Sequence, residues 1–135
     1  MRAKMIFLLG GAIFIFYGCK DNIEPKVTDP KQAFLGRWEE IENNLGPVNN
    51  PSGYDEYLPD SVRKSYSYAD KVFYNEKYWL EDSLLIRSFK YVDPYDNYVK
   101  VFKWRYRYEF LSYNKLKLVS QNPSIIYSQT YKRIK

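Results

Sequence analysis

Val101-Phe-Lys-Trp-Arg-Tyr-Arg-Tyr-Glu-Phe-Leu111 decides how the rest of the chain is read. Phe102, Trp104, Tyr106, Tyr108 and Phe110 fall on one face of an extended backbone, and Lys103, Arg105, Arg107 and Glu109 on the other, because successive strand side chains point to opposite sides. One face suits burial and the other suits water, which predicts a half-buried β-strand. The 15 tyrosines, 8 phenylalanines and 3 tryptophans push the whole chain the same way, since aromatic side chains fit a pleated, half-buried surface.

Working outward, no segment after Gly36 keeps a helical period beyond about two turns, whereas alternation recurs between turn signals. Strands are expected over 36–43, 54–58, 62–69, 72–80, 84–91, 98–111, 115–120 and 125–133. They are separated by turn-forming stretches such as Glu81-Asp-Ser83, Asp93-Pro-Tyr-Asp-Asn97 and Ser112-Tyr-Asn-Lys115. Eight strands joined mostly by short turns make an antiparallel meander. The simplest way to hide both of its edges is closure into a single up-and-down β-barrel, with an open sheet or sandwich as the rival. Asn43 to Gly53, rich in Asn, Gly and Pro, reads as one long irregular loop overhanging a mouth of the barrel. Ahead of the first strand, Asp29-Pro30 is an N-cap followed by proline at the first helical position. Lys31 to Leu35 supplies about one helical turn before Gly36 stops it.

The N-terminus carries a different signal. Arg2 and Lys4 precede the apolar run Met5 to Phe16, which gives way through Tyr17 and Gly18 to Cys19, the single cysteine. A positive stretch, a short apolar stretch and a small residue before the cut are the parts of an export signal. The run is too short to span about 30 Å of hydrocarbon, which takes roughly 20 apolar residues. Phe16-Tyr-Gly-Cys19 resembles the lipobox of bacterial lipoproteins. That resemblance implies removal of residues 1–18 and acylation of Cys19 with fatty chains such as palmitate; a plain signal peptide with a cysteine near the cut is the alternative. Two or three acyl chains hold a protein firmly on a membrane where one does not. Residues 19–29 then form the lipidated cysteine and a flexible tether, and residues 30–135 the barrel domain. Ten extended residues reach at most roughly 35 Å. Acidic residues close behind the cysteine, here Asp21 and Glu24, loosely resemble a signal for transport to the outer face of the cell. An outer-membrane location, periplasmic or surface-exposed, is therefore expected.

Composition narrows the chemistry. Loss of residues 1–18 removes Arg2 and Lys4, leaving 19 basic and 16 acidic side chains, a net +3 too small to argue for nucleic acid. Lys103, Arg105 and Arg107 alternate with rings, but on opposite faces, whereas a nucleic-acid platform wants rings and charges together. There is no histidine, and an acylated Cys19 leaves no thiolate, so the commonest general base and the soft metal ligands are missing. No glycine follows Gly53, which removes phosphate-binding glycine loops and the nucleophile elbow. Carboxylates remain: Glu40 and Glu42 share a strand face with Trp38, the raw material of glycoside hydrolysis, although acids also serve to keep a strand soluble. Asp93, Asp96 and Asn97 lack the spacing of a calcium loop and read as a turn. No enzyme activity, cofactor or metal is expected, and the chain should be a monomer.

The helical turn leading into Phe34-Leu-Gly-Arg-Trp-Glu39, with Gly36 and Trp38 spaced as G-x-W, the meander that follows, and the ending Tyr131-Lys-Arg-Ile-Lys135 together resemble the lipocalin-like domains of small lipoproteins abundant in the Bacteroidetes. The resemblance implies that Trp38 closes the base of the barrel beneath a basic residue from the end of the chain, Arg133 or Lys132. It also implies an interior that holds a small hydrophobic or amphipathic ligand. Phe102, Trp104, Tyr106, Tyr108 and Phe110 are the candidate interior, joined by Tyr66 or Tyr68, Tyr78 and Tyr91. An eight-stranded barrel is either just filled by its own side chains or holds one small guest. A filled barrel leaves the alternative of an accessory protein that binds another envelope protein, an enzyme inhibitor for example.

Overall fold

The structure, a computed structural model, describes residues 24–122, 124 and 126–135. The stretch expected to be an export signal, and Cys19, lie outside the described residues. Helix α1 (Pro30–Phe34) starts where expected: the Asp29 carboxylate accepts the Lys31 backbone N–H at 3.1 Å, and Pro30 needs no donor of its own there. Nine strands follow: β1 (Gly36–Asn43), β2 (Gly46–Pro47), β3 (Gly53–Tyr57), β4 (Val62–Ser67), β5 (Phe73–Glu81), β6 (Leu84–Val92), β7 (Val99–Ser112), β8 (Lys115–Ser120) and β9 (Ser128–Ile134). All pairings are antiparallel between chain neighbours, except that β1 bypasses β2 to pair with β3 and also pairs with β9. That last pairing, Arg37↔Ile134 through Asn43↔Gln129, closes an eight-stranded antiparallel barrel and removes both edges of the sheet. The barrel itself is as the alternation predicts. The long irregular loop is not: Gly46 and Pro47 fold back on Asn43 and Glu42 as a small hairpin spur, with the Asn43 side chain accepting the Leu45 N–H to hold the turn.

One end of the barrel, here the base, carries α1 and is filled with rings. Phe34 meets Tyr57, Tyr108 and Phe110 edge-on at 5.0–5.4 Å, and Tyr57 meets Tyr78 at 4.9 Å. Leu85, Leu116, Leu118 and Tyr131 complete this core. Trp38 is fully buried and donates its indole N–H to the Phe34 carbonyl at 2.8 Å, which satisfies its polar edge. Arg133 lies over the Trp38 ring at 4.3 Å and over the Tyr113 ring at 4.1 Å. Its guanidinium donates to three carbonyls, Leu35 and Ala33 at 2.6 Å each and Tyr113 at 3.1 and 3.3 Å. It thereby ties the end of α1 to the β7–β8 turn and to the last strand. Gly36 sits beside it with φ +114, and a Cβ there would meet Arg133 Nη1 at 3.1 Å, so glycine serves both the backbone turn and the space the arginine needs.

The other end is the mouth. There β6 and β7 outrun their neighbours: β5 pairs with β6 only as far as Ser88, and β8 pairs with β7 only from Tyr106 onward. Phe89–Val92 and Val99–Phe102 therefore project as a two-stranded ribbon beyond the barrel wall, and Lys103–Arg105 at its root keep β6 on one side but have no strand of β8 on the other. Its tip is the turn expected at Asp93–Asn97. The Asp93 and Asp96 carboxylates accept the N–H groups of Tyr95 and Tyr98 at 2.8 and 2.9 Å, and Asn97 takes a left-handed φ of 57.

Candidate functional site

A cavity of about 270 Å³ opens at the mouth, above the ring-filled base. Strand alternation puts Gly53 and Asp55 of β3, Arg63 and Ser65 of β4, Arg87 of β6 and Gln129 and Tyr131 of β9 around it, with Trp38 and Glu40 on β1. The floor is ionic. Asp55 accepts from Arg63 Nη2 at 2.8 Å with one oxygen and from Arg87 Nη2 at 3.0 Å with the other. Arg63 Nη1 is bonded to Glu76, and Arg87 Nη2 also donates to the Tyr57 hydroxyl at 3.1 Å. Arg87 lies over the Tyr106 ring at 4.9 Å, a further source of support for its charge.

Two guanidinium groups thus face two carboxylates in a buried site, and each Nε–H has no partner among the described residues. Burial works against the Arg87 charge, but Tyr57 and Asp55 outweigh it, and its pKa lies well above the ordinary arginine value. For Arg63, burial and the neighbouring Arg87 oppose the charge, and Asp55, Tyr57 and Glu76 overcome them, so its pKa is also raised. Burial pushes the Tyr131 phenol up as well. Both arginines therefore stay charged and the Tyr131 hydroxyl stays protonated. With Asp55 and Glu76 already spent on the arginines, the floor is neutral overall and Glu40 adds a carboxylate at the wall. Such a surface offers fixed donors and acceptors to a polar group rather than a net positive charge to an anion.

The five rings expected inside the barrel divide into two sets. Tyr106, Tyr108 and Phe110 are half-buried and pack against the core. Phe102, on the projecting ribbon, and Trp104, at its root, do not enter the barrel: they are 41% and 43% exposed and stacked with Phe89 at 5.1 and 6.5 Å. They share a face with Tyr106, but β5 and β8 are too short to cover them. Tyr91 is exposed on the same ribbon, while Tyr78 is buried in the base. Tyr66 and Tyr68 cluster with Tyr54 and Phe73; Tyr66 alternates with Arg63 and Ser65 on β4 but still borders the cavity, whereas Tyr68 does not. Glu40 and Glu42, expected on one face, are separated by a bulge between them: Glu40 pairs with Tyr131 and lines the cavity, whereas Glu42 pairs with Thr130 and is exposed.

Asp55, Arg63 and Arg87 are absent from the sequence-based expectation. Arg87 had a readable signal, a cation inside the apolar stretch Leu84-Leu-Ile-Arg-Ser-Phe89, where alternation points it with Leu85 toward the core. Asp55 and Arg63 had none, because each stands in ordinary polar surroundings in the chain. Among the described residues no group of acidic side chains is arranged to hold a metal ion, and no helix is long and apolar enough to cross a membrane. Compared with the models of known protein families and with curated proteins, the chain matches none.

Proposed function

We propose that the chain is a non-enzymatic, lipocalin-like lipoprotein of the cell envelope, held on the outer membrane through an acylated Cys19 and the tether 20–29, and that it binds one small amphipathic molecule at the mouth of its barrel. The observation that carries the binding reading is the mouth itself: a polar cavity floored by Arg63, Asp55 and Arg87, with Trp104 directly opposite Arg87 on the neighbouring strand and Phe89 and Phe102 stacked beyond it. A guest with a hydrogen-bonding head and an apolar body matches that division, since the head meets fixed donors and the body covers rings otherwise exposed to water. The ring-filled base leaves the mouth as the place for it. A purely apolar guest would strand the arginines and Asp55 without water, which is costly.

Native mass spectrometry of the protein purified from its own envelope tests this directly. A co-purifying amphiphile, released by replacing Arg87 with Leu, is the expected result. A clean apo mass with no thermal stabilisation by lipids, bile-salt-like amphiphiles or glycans would overturn it. Cys19→Ala should move the chain from the membrane fraction to soluble or unprocessed material; unchanged retention would remove the anchor from the reading. The exposed ribbon favours a second reading, an accessory lipoprotein that uses this projection to bind another envelope protein.

A further inference from the structure

We propose that the free edge of β7, from Val99 to Lys103, takes up an extended segment of a partner protein as an added strand, and that this segment alternates apolar and acidic residues. The inference rests on the second reading above and names its partner chemistry; it shares the Phe102 and Trp104 rings with the proposed ligand site but uses the outward peptide groups of β7, which that site does not.

The backbone shows which groups are on offer. Arg105 accepts the Gln121 N–H at 2.9 Å, so odd-numbered residues of β7 turn their peptide groups toward the β8 side. Tyr108 donates toward Ser83 on the opposite side, as alternation requires. After Gln121 no described residue pairs with this edge, and the peptide groups of Val101 and Lys103 face outward without a strand partner. A notch of about 310 Å³ lies there, between Phe102–Arg105 and Ser120–Asn122. Unpaired edges of this kind are templates for another chain.

The two faces of the ribbon specify what that chain carries. An added strand would set alternate side chains beside Phe102 and Trp104, which reward apolar groups. The intervening side chains would lie beside Lys103 and Arg105, with Lys90 next to Val101 across the ribbon, and these reward carboxylates. Asp93 and Asp96, the ribbon's own acids, are occupied by backbone N–H groups at its tip. The same cations set a second copy of this edge against like charge, which disfavours self-pairing and selects an acidic partner.

The test uses the full chain in nonionic detergent and a fluorescent peptide of about nine residues alternating valine and glutamate, read by anisotropy. Saturable binding is expected, weakened at least about tenfold by K103E combined with R105E and by raised salt. Val101→Pro removes an outward N–H without touching a charge or the β6 pairing, and should weaken binding by a similar factor of about ten. The peptide N-methylated at alternate residues, tested on the unaltered protein, should not bind, which keeps the test valid where the proline variant fails to fold. No saturation at millimolar peptide, equal binding of the N-methylated peptide, or equal binding of the valine–lysine counterpart would each overturn the proposal. So would dimerisation of the chain through this edge, abolished by Val101→Pro. Peptide binding by a protein whose native mass spectrum shows no co-purifying amphiphile, or an amphiphile complex that takes up no peptide, makes failure here and failure of ligand binding separately visible.

Discussion

At the scale of single residues, charge buried against carbonyls and rings does more than apolar packing alone would. Arg133 donates to three carbonyls in a part-buried site, and it covers the Trp38 ring. Arg133→Ala should cost about 3 kcal/mol in urea denaturation, because charge-assisted bonds are worth about 1.5–3 kcal/mol and their acceptors would be left bare. Arg133→Lys should recover less than half, since an ammonium cannot present a planar fork to carbonyls from three directions. Tyr78 sets a limit on alkaline stability. Burial, then Tyr57 and Asp60, push its phenol up to about 12, against an ordinary value near 10 in the unfolded chain. Between pH 10 and 12 the unfolded chain gives up this proton while the folded chain keeps it, so stability falls as pH rises through that window. The slope from this group should reach about 1.4 kcal/mol per pH unit. Tyr78→Phe, which also loses the bond to the Leu58 carbonyl, should be less stable at pH 8 but flatter from pH 10 to 12 when denaturation midpoints are compared.

At the scale of elements, pairing partners rather than propensity decide which parts of a strand are firm. In the lower half of β7, Tyr106 and Arg107 have β6 on one side and β8 on the other, Tyr108 still donates to the Ser83 carbonyl, and the inward rings of Tyr106, Tyr108 and Phe110 pack on the core. The upper half has only β6 and no covering layer. A two-stranded ribbon in water is marginal by itself. Amides of Phe89, Tyr91, Lys100 and Phe102, which face the partner strand of the ribbon, should therefore exchange with solvent at least about a hundredfold faster than those of Leu85, Ile86 and Tyr108, as local opening precedes global unfolding. Amide exchange followed by NMR checks this, and uniform protection along β7 would contradict it. β1 makes the same point on a smaller scale. Its bulge after Glu40 adds one residue, and that single addition moves Glu42 from the cavity side to the outside.

At the scale of the molecule, closure joins the first strand to the last. Every other pairing except β1–β3 is between consecutive strands, so only β1–β9 spans nearly the whole domain. Removing residues 132–135 deletes Arg133 and the Lys132 and Arg133 partners of Glu39 and Trp38. The expected product keeps β-type far-ultraviolet circular dichroism but loses its near-ultraviolet aromatic signal and its sharp thermal transition, because the base rings lose their shared clamp. A sharp transition with native near-ultraviolet signal would show that closure does not depend on this segment.

The strands of the barrel were legible in the sequence because alternation is local: Val101 to Leu111 shows its two faces without reference to any other strand. Legible for the same reason was the short capped turn before Gly36. Trp38 and Arg133 were legible only through a family resemblance, and the structure supplies the geometry between them. What alternation cannot convey is how far each neighbour extends. Phe102 and Tyr106 have the same parity and similar chemistry, yet one is exposed and the other packs on the core, because β5 and β8 stop between them. Nor can it convey which polar residues meet. Asp55, Arg63 and Arg87 lie on three strands and become an ionic floor only when curvature of the sheet turns those strands toward one axis. The sequence by itself determined the alternating strands, and with them the antiparallel meander; tertiary structure alone decided which rings fill it, which project from it, and that its mouth is polar, because those depend on strand overlap and closure, which no short stretch of chain contains.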